Sequence, residues 1–329
     1  MSAADAAAAL RSSVRGEVTV DAPLAAFTSF RLGGAAAILV EAHDESDLVA
    51  TASVAATSRL PILSLGRGSN VLVSDRGYPG IVVRLGKGFE WIADSGDGLE
   101  AGGATPLPRL ANRAAGRGLS GLEFAVAIPA SLGGAVRMNA GAHGSSLAEV
   151  LDWVRLYRLG ETAPAVLPAA ELGMRYRSTN LDDNDVVCAA RLTLTPAPSG
   201  ERGEIALRMQ RYRDHRAATQ PGEARNAGSM FKNPIGSPGG SSPGVSAGRL
   251  IEEAGMKGHR AGGAEVSDKH ANFFLARPGA TAQDVHRLLV EVQAAVLART
   301  GILLAPEVRL IGSFEEPDLL RAGGGAGAP

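Results

Sequence analysis

The sequence predicts an α+β chain built from more than one domain. Short β-branched runs recur along it, separated by segments of helical period. A Gly/Ala-rich, almost uncharged stretch, Gly118–Gly144, lies near its middle. Composition then turns to Pro, Ser and Gly over Pro196–Gly203 before a helical pattern resumes. The length of 329 residues allows a large core and one large or about two to three ordinary domains.

Taken in order, the Ala-rich start is expected to be disordered, like the Gly/Ala tail Ala322–Pro329. Phe27–Gly34 reads as a strand running into a glycine pair, and Ala37–Glu41 as a short buried strand. Asp44–Arg59 carries acidic residues in its first turn and apolar positions at Leu48, Val49, Ala52 and Ala56, the signature of a helix. Pro61 ends it, and Ile62–Leu65, Val71–Val73 and Gly80–Leu85 read as strands around the sharp loop Gly66–Asn70. This opening is β-α-β in character. A second helix is expected after Thr105 as N-cap and Pro106 as first residue, with Leu107, Leu110, Ala111 and Ala114 on its apolar face and Gly118 near its end. Val154–Leu159 and Val186–Thr195 are strands. Beyond the linker, Glu204–Arg216 is a basic helix and Ala247–Ala254 a short one stopped by Gly255. Thr281–Thr300 is the clearest amphipathic helix, with Val285, Leu288, Leu289, Val292 and Val296 on one face and Gly301 as its stop. Pro234–Gly248 reads as a mobile loop, and Val308–Ile311 as a last strand.

Composition narrows the function classes. With 45% apolar and 20% charged residues the chain is globular, and a formal net charge of −1 gives no general attraction to nucleic acid or to anionic membrane. No apolar run approaches membrane-spanning length, and no basic-then-apolar leader is visible, which makes the cytoplasm the expected compartment. Cys188 is the single cysteine, so an intrachain disulfide is impossible, and its strand-like surroundings suit a small core residue.

Several stretches could carry chemistry. Gly118–Gly144 reads either as backbone wrapped closely around a large flat cofactor or as a tightly packed turn. Gly66–Asn70 offers consecutive N–H groups and a hydroxyl to a pyrophosphate, or is an ordinary strand connection; Val71 stands where a dinucleotide fingerprint needs its third glycine. Gly244–Gly248 matches GxSxG in form but lacks the preceding buried strand, so Ser246 is better read as a helix cap than as a nucleophile. Ser229 in NAGSMFKNP lies beside a glycine turn and can hand over a proton, while Lys232 and Asn233 suit phosphate or carboxylate oxygens. Glu307 is a lone carboxylate in the apolar run Ile302–Ile311, and burial would raise its pKa. Arg177 can clamp a carboxylate through its planar fork. The basic run Arg208–Arg216 is expected to be a solvated face.

Read together, FTSFRLGGAA, LGRGSNVLVSDRGYPGIVV, GLEFAVAIPASLGGAVRMNAGAHG, YRST, NAGSMFKNP, AGRLIEEAGMKG, GGAEVSDKHANFF and PEVRLIG resemble, in the same order, the UDP-N-acetylenolpyruvoylglucosamine reductase (MurB) family of peptidoglycan synthesis. The resemblance runs from about Phe27 to Gly312. It implies a flexible leader over 1–24, an FAD-binding domain of the vanillyl-alcohol-oxidase (PCMH) type over 25–200, a smaller α/β substrate-binding domain over 201–315, and a disordered tail over 316–329. FAD is expected on Gly66, Gly68, Ser69, Asn70, Gly121, Ile128, Pro129, Gly134, Asn139 and Gly141. Arg177, Ser229 and Glu307 match the family's catalytic positions. Tyr176, Lys232 and Asn233 match substrate contacts, and Tyr212 and Arg213 are candidates for closing over the diphosphate.

The implied reaction is reduction of UDP-N-acetyl-3-O-(1-carboxyvinyl)-glucosamine to UDP-N-acetylmuramate, with NADPH as co-substrate. Hydride would pass from flavin N5 to C3 of the enol and a proton from Ser229 to C2, with Arg177 and Glu307 stabilising the developing charge. No metal, nucleic acid or membrane partner is implied, and a monomer is expected. Ala130 departs from the family pattern by replacing a usual glycine, so the turn there has to tolerate a Cβ. An FAD oxidase, a catalytically silent nucleotide-binding module and a serine hydrolase built on Ser246 are the competing readings.

Overall fold

A computed structural model describes residues 1–198, 202–222, 225–234, 244–315 and 317–319. Most of the Pro234–Gly248 loop and the Gly/Ala tail lie outside the described residues. The chain divides into two compact units. The first comprises Met1–Ala22, Ala35–Gly68 and Tyr78–Ala218; the second comprises Pro23–Gly34, Ser69–Gly77 and Thr219–Pro329. This differs from a cut at 200/201, for two reasons. The helix Arg202–Thr219 buries Ile205 and Met209 in the core of the first unit. And Val71–Val73 pairs in parallel with Arg309–Ile311, which draws an early segment into the second unit.

The first unit contains two sheets. One has the order Glu17–Pro23, Ala35–Ala42, Tyr78–Leu85, Ile62–Ser64, and its last three strands are parallel. The crossover helix Glu45–Ser58 starts where the sequence predicts, with the Asp44 carboxylate accepting the N–H groups of Ser46 and Asp47, and ends at Arg59 in the left-handed region. The Ala-rich start is not disordered. Ala3–Ser13 is a helix with a Ser2/Asp5 capping box, and it buries Ala6, Ala7 and Leu10. Its exit is tied down by the buried Asp47 carboxylate, which accepts N–H bonds from Arg15 (2.8 Å), Gly16 (2.9 Å) and His43 (2.7 Å). Cys188 is buried in this core, and burial pushes its thiol up to about 12, so it is an inert packing residue as expected.

The second sheet is antiparallel, in the order Ala165–Pro168, Leu151–Arg158, Asp185–Thr193, Gly98–Gly102, Ile92–Ser95. The helix Leu107–Gly116 packs with it through Leu107, Leu110, Ala111 and Ala114. Pro106, not Thr105, occupies its N-cap. Thr105 is fully buried, and its hydroxyl is spent on the Trp91 carbonyl (2.9 Å).

In the second unit the helix Ala282–Thr300 carries a Thr281/Asp284 capping box and ends at Gly301 in the left-handed region. All five apolar positions predicted for its face are buried. It shares a core with the helix Ala247–Glu253, which Ser246 caps, and with a small antiparallel sheet of Arg260–Ala261, Ala264–Val266 and Phe274–Ala276. Phe27–Gly34 is not a strand. Leu24–Phe27 is a 3-10 turn, and beyond it the Thr28 carbonyl accepts the Arg31 N–H (3.1 Å) while the Thr28 hydroxyl donates to the Leu32 carbonyl (3.2 Å). That tight turn drives Phe30 fully into the core of the unit.

Candidate active site

The residues singled out in the sequence fall in both units, and each unit has its own geometry. The chain passes from the first unit to the second inside the Gly66–Asn70 loop, after Gly68.

In the first unit the Gly/Ala-rich stretch resolves into a short strand Leu119–Ser120, a 3-10 turn Glu123–Ala127, a short helix Leu132–Arg137 and a hairpin of Gly141–Ala142 with Ser145–Ser146. Ser131, 4% exposed, precedes the short helix. A Cβ built on Gly66 would come within 3.0 Å of the Ser131 hydroxyl, and one built on Gly134 within 3.4 Å of the same oxygen. Two expected cofactor glycines therefore converge on one hydroxyl that the sequence pattern does not single out, and a side chain on Gly66 would crowd the space between them. Gly68, at φ +62°, turns the loop as glycine alone does readily. Such a small-residue, hydroxyl-bearing cradle fits a dinucleotide phosphate. Ala130 is accommodated without strain, because its φ is not positive and its carbonyl simply accepts the Leu107 N–H (3.0 Å).

Other expected cofactor contacts are engaged within the protein. The Gly121 N–H donates to Glu123 (2.7 Å), a buried carboxylate that also accepts from Ser120 (2.7 Å) and pairs with Arg208 (3.1 Å). Burial would raise the pKa of Glu123, but these hydrogen bonds and the guanidinium outweigh it and hold the carboxyl below its usual range. Ile128 closes the 3-10 turn through its N–H to Ala125, and Pro129 is exposed.

Asn139, 5% exposed and at φ +40°, spends both ends of its amide on backbone: Nδ2 donates to the Arg175 carbonyl (3.0 Å) and Oδ1 accepts the Ala148 N–H (3.0 Å). Arg175 and Ser178 exchange both N–H···O bonds, so Tyr176 and Arg177 form the tip of a tight turn, with Arg177 at φ +51°. Arg177 Nη2 donates to the Gly141 carbonyl (2.8 Å), and its guanidinium carbon lies 5.2 Å from the Tyr176 ring centroid. Asn139, Gly141, Tyr176 and Arg177 thus form one cluster.

The basic helix is not a uniform solvated face. Arg208 pairs with buried Glu123, and Arg213 donates to Asn112 (3.0 Å). Tyr212 stacks on His143 with ring centroids 3.9 Å apart. Arg216, one turn beyond Tyr212 on the same side of the helix, is half-buried, and burial alone pushes its guanidinium below its ordinary range.

In the second unit Ser229 follows Gly228, which sits at φ +75°, and its segment is held from two sides. On one side Ser229 bridges Phe273, and the Met230 N–H donates to the Asn272 carbonyl (2.9 Å). Asn272 also closes a ring on Phe231, whose N–H donates to Oδ1 (2.9 Å) and whose carbonyl accepts from Nδ2 (2.8 Å). On the other side Phe231 bridges Pro306, the Lys232 N–H donates to Ala305 (2.8 Å), and the Glu307 N–H donates to the Met230 carbonyl (2.9 Å). Glu307 is consequently paired across from the residue next to Ser229. The Glu307 carbonyl accepts from Asn70 Nδ2 (3.0 Å), and the Asn70 carbonyl accepts the Arg309 N–H (3.1 Å). Asn233 Oδ1 accepts the Ala247 N–H (3.0 Å) and so helps start the short helix after Ser246. Among the described residues no cluster of His, Cys, Asp and Glu is arranged to hold a metal, and no helix is long and apolar enough to cross a membrane.

Against known proteins, residues 220–311 match the family model for the C-terminal domain of UDP-N-acetylenolpyruvoylglucosamine reductase, and residues 36–159 match one for an FAD binding domain. Over 306 residues the chain is 42% identical to UDP-N-acetylenolpyruvoylglucosamine reductase 2 of Symbiobacterium thermophilum, covering 92% of this chain and 96% of that one. It is 43% identical over 317 residues to the corresponding reductase of an Anaeromyxobacter species, covering 96% and 95%. The crystal structure of the reductase from Thermus caldophilus superposes with a TM-score of 0.74 at 36% identity, covering 91% of this chain and 99% of that one.

Proposed function

Because the chain belongs to the UDP-N-acetylenolpyruvoylglucosamine reductase family and has that family's α+β fold with its FAD-binding domain, we propose that it reduces the enolpyruvyl ether of UDP-N-acetylglucosamine to UDP-N-acetylmuramate, with NADPH as hydride source. It would do so in the cytoplasm, as a monomer, on the route to peptidoglycan. The observation that carries the reading is the pairing of Glu307 with Met230, beside Ser229. The segment that carries a hydroxyl able to give up a proton is thereby paired, through main-chain bonds, with the segment that carries a carboxylate.

FAD, when bound, supplies the hydride relay between nicotinamide and enol. Gly66, Gly68, Ser131 and Gly134 would hold it in the first unit. The reaction adds a hydride at C3 and a proton at C2 of the enolpyruvyl group, turning it into a lactyl group. Negative charge builds at C2 and on the adjoining carboxylate as the hydride arrives. Arg177, oriented by its bond to Gly141, neutralises that charge, and preorganised charge of this kind commonly supplies much of an enzyme's rate enhancement. Ser229 then gives its proton to C2. Glu307 polarises the reacting group, and Lys232 meets carboxylate or phosphate oxygens. Asn139 spends both ends of its amide on backbone, while Asn70 and Asn233 each engage backbone through one end; Tyr212, Arg213 and Arg216 are the candidates for the diphosphate.

The test is a visible spectrum of the purified protein before and after anaerobic NADPH, then after the enolpyruvyl substrate. Yellow protein that bleaches with NADPH and recolours with that substrate is the expected result. Recolouring by oxygen alone would point to an oxidase, and protein that takes up no FAD would overturn the reading. In Ser229→Ala, bleaching should persist while recolouring slows by about 100-fold or more. An equal loss in both halves would remove Ser229 from proton transfer.

A further inference from the structure

We propose that Asn272 is a positioning residue for proton transfer: it sets the backbone that carries Ser229 and, through Met230, the one that carries Glu307. The inference rests on the proton-donor reading of Ser229. The Ser229–Lys232 segment is not part of a continuous sheet; single-residue pairings of Ser229 with Phe273 and of Phe231 with Pro306 mark its neighbours. Its direction is set by local bonds, and Asn272 makes three of them within two residues of Ser229. Its carbonyl takes the Met230 N–H, and its amide takes both the N–H and the carbonyl of Phe231. The Met230 carbonyl in turn receives the Glu307 N–H. Through its carbonyl and its amide, Asn272 fixes the Met230–Phe231 backbone, which follows directly on the proton donor and which pairs, through the Met230 carbonyl, with the segment bearing the carboxylate.

Asn272 is itself held. It is 3% exposed, and its N–H donates to His270 Nδ1 (3.2 Å). Phe231 is fully buried, so removing the amide would orphan two backbone groups away from water. With both ends of its amide committed to Phe231, Asn272 acts through its neighbours and not on substrate. A rotation of the Met230–Phe231 peptides would move the Ser229 hydroxyl by a fraction of an ångström to an ångström. Misplacement of that size costs about 10- to 100-fold in a transfer step.

The experiment uses FAD-loaded protein and separates the two half-reactions by stopped flow in the parent, Asn272→Ala, Asn272→Asp, Ser229→Ala and the Asn272→Ala/Ser229→Ala double variant. Asn272→Ala should leave bleaching by NADPH unchanged and slow recolouring by the enolpyruvyl substrate about 10- to 100-fold. In the Ser229→Ala background the same change should add almost nothing, because there is no proton donor left to position. Asn272→Asp should be slow at high pH, where a carboxylate faces the Phe231 carbonyl. It should recover relative to the parent as pH falls, because the protonated acid again donates to that carbonyl. Ligand-free hydrogen exchange should quicken at Met230, Phe231 and Glu307 in Asn272→Ala. Fully additive losses, equal losses in both half-reactions, or no pH-dependent recovery would overturn the inference while leaving Ser229 as proton donor. A Ser229→Ala variant with normal recolouring would overturn the proton-donor reading and this inference with it. Should Asn272→Ala not fold, the isosteric Asn272→Asp and its pH profile decide.

Discussion

Replacing Asn139 separates a scaffold role from a cofactor contact. The side chain makes two hydrogen bonds, to Arg175 and from Ala148, and the backbone sits at φ +40°. Asn139→Ala loses both bonds, at about 1 kcal/mol each. It also places an alanine in the left-handed region, at about 1 kcal/mol more. The expected loss is about 3 kcal/mol, a large share of the stability of an ordinary domain. Asn139→Gly loses the same bonds without the conformational penalty and should be about 1 kcal/mol less destabilised. Urea unfolding of protein stripped of FAD, followed by far-ultraviolet circular dichroism, reads these differences with no ligand present. Because the Arg175 carbonyl also closes the Tyr176–Arg177 turn, reduction of the enolpyruvyl substrate by the reloaded variant should fall as well. If FAD-free Asn139→Ala stays within about 0.5 kcal/mol of the parent while its affinity for FAD drops, Asn139 is a ligand contact and the scaffold argument fails.

Other expectations follow from the same geometry. Gly66→Ala places a methyl 3.0 Å from the Ser131 hydroxyl; fluorescence titration should show FAD binding weakened about 10-fold. Unchanged affinity would show that nothing binds in that cradle. Arg177→Lys keeps the charge but loses the planar fork and the bond to Gly141; kcat/KM should fall about 10- to 100-fold, and unchanged turnover would remove Arg177 from the site. His143, His270 and His286 are all held below the ordinary value of 6.5, first by burial and, for His143, also by His215. The unfolded chain then binds these protons at higher pH than the native protein does, so their stabilising contribution is complete above pH 6.5 and is lost as pH falls through the native values. Glu123 and Glu265 are shifted below 4.5 and lose their contribution only at more acid pH. Tm should therefore decline on going from pH 7.5 to about pH 5.5; a flat or rising Tm would refute the reading that these histidines are held neutral in the native protein.

Elements whose signals are local were legible. Glu45–Ser58 and Ala282–Thr300 announce both ends through caps next to them in sequence. The helix Ala3–Ser13 was not legible because alanine alone does not say what it packs on; its exit is fixed by Asp47, more than 30 residues away. The hairpin of Ile92–Ser95 with Gly98–Gly102 drew no reading from the sequence, and its place in a sheet depends on Asp185–Thr193. The assignment of Val71–Val73 to the second unit depends on a partner at Arg309–Ile311. The site shows the same division. Ser229, Arg177 and Glu307, the proposed catalytic residues, stand in motif blocks that single them out in the sequence. Ser131 and Asn272 matter for what they face in the folded chain, and the bond from Asn272 to Phe231 spans 41 positions.

The asparagines make a more general point about glycine-rich flavoprotein-like segments. Asn70 and Asn139 read from sequence as cofactor contacts, and Asn272 drew no attention. In the structure all three amides bond to main-chain groups: Asn70 to Glu307, Asn139 to Arg175 and Ala148, Asn272 to Phe231. An Asn side chain carries the same donor and acceptor as a peptide, so it can complete a ladder where the main chain is too irregular to do so. Asn139 adds a second property, since Asn occupies positive φ more readily than other residues with a Cβ. Segments shaped to approach a ligand lack regular pairing by construction, and their buried N–H and C=O groups still require partners. Amide side chains supply those partners without adding charge to a site whose chemistry depends on a few charges being in the right place. An asparagine in such a motif is thus as well explained by the backbone it completes as by a ligand it touches, and the two are distinguished by whether ligand-free stability depends on it.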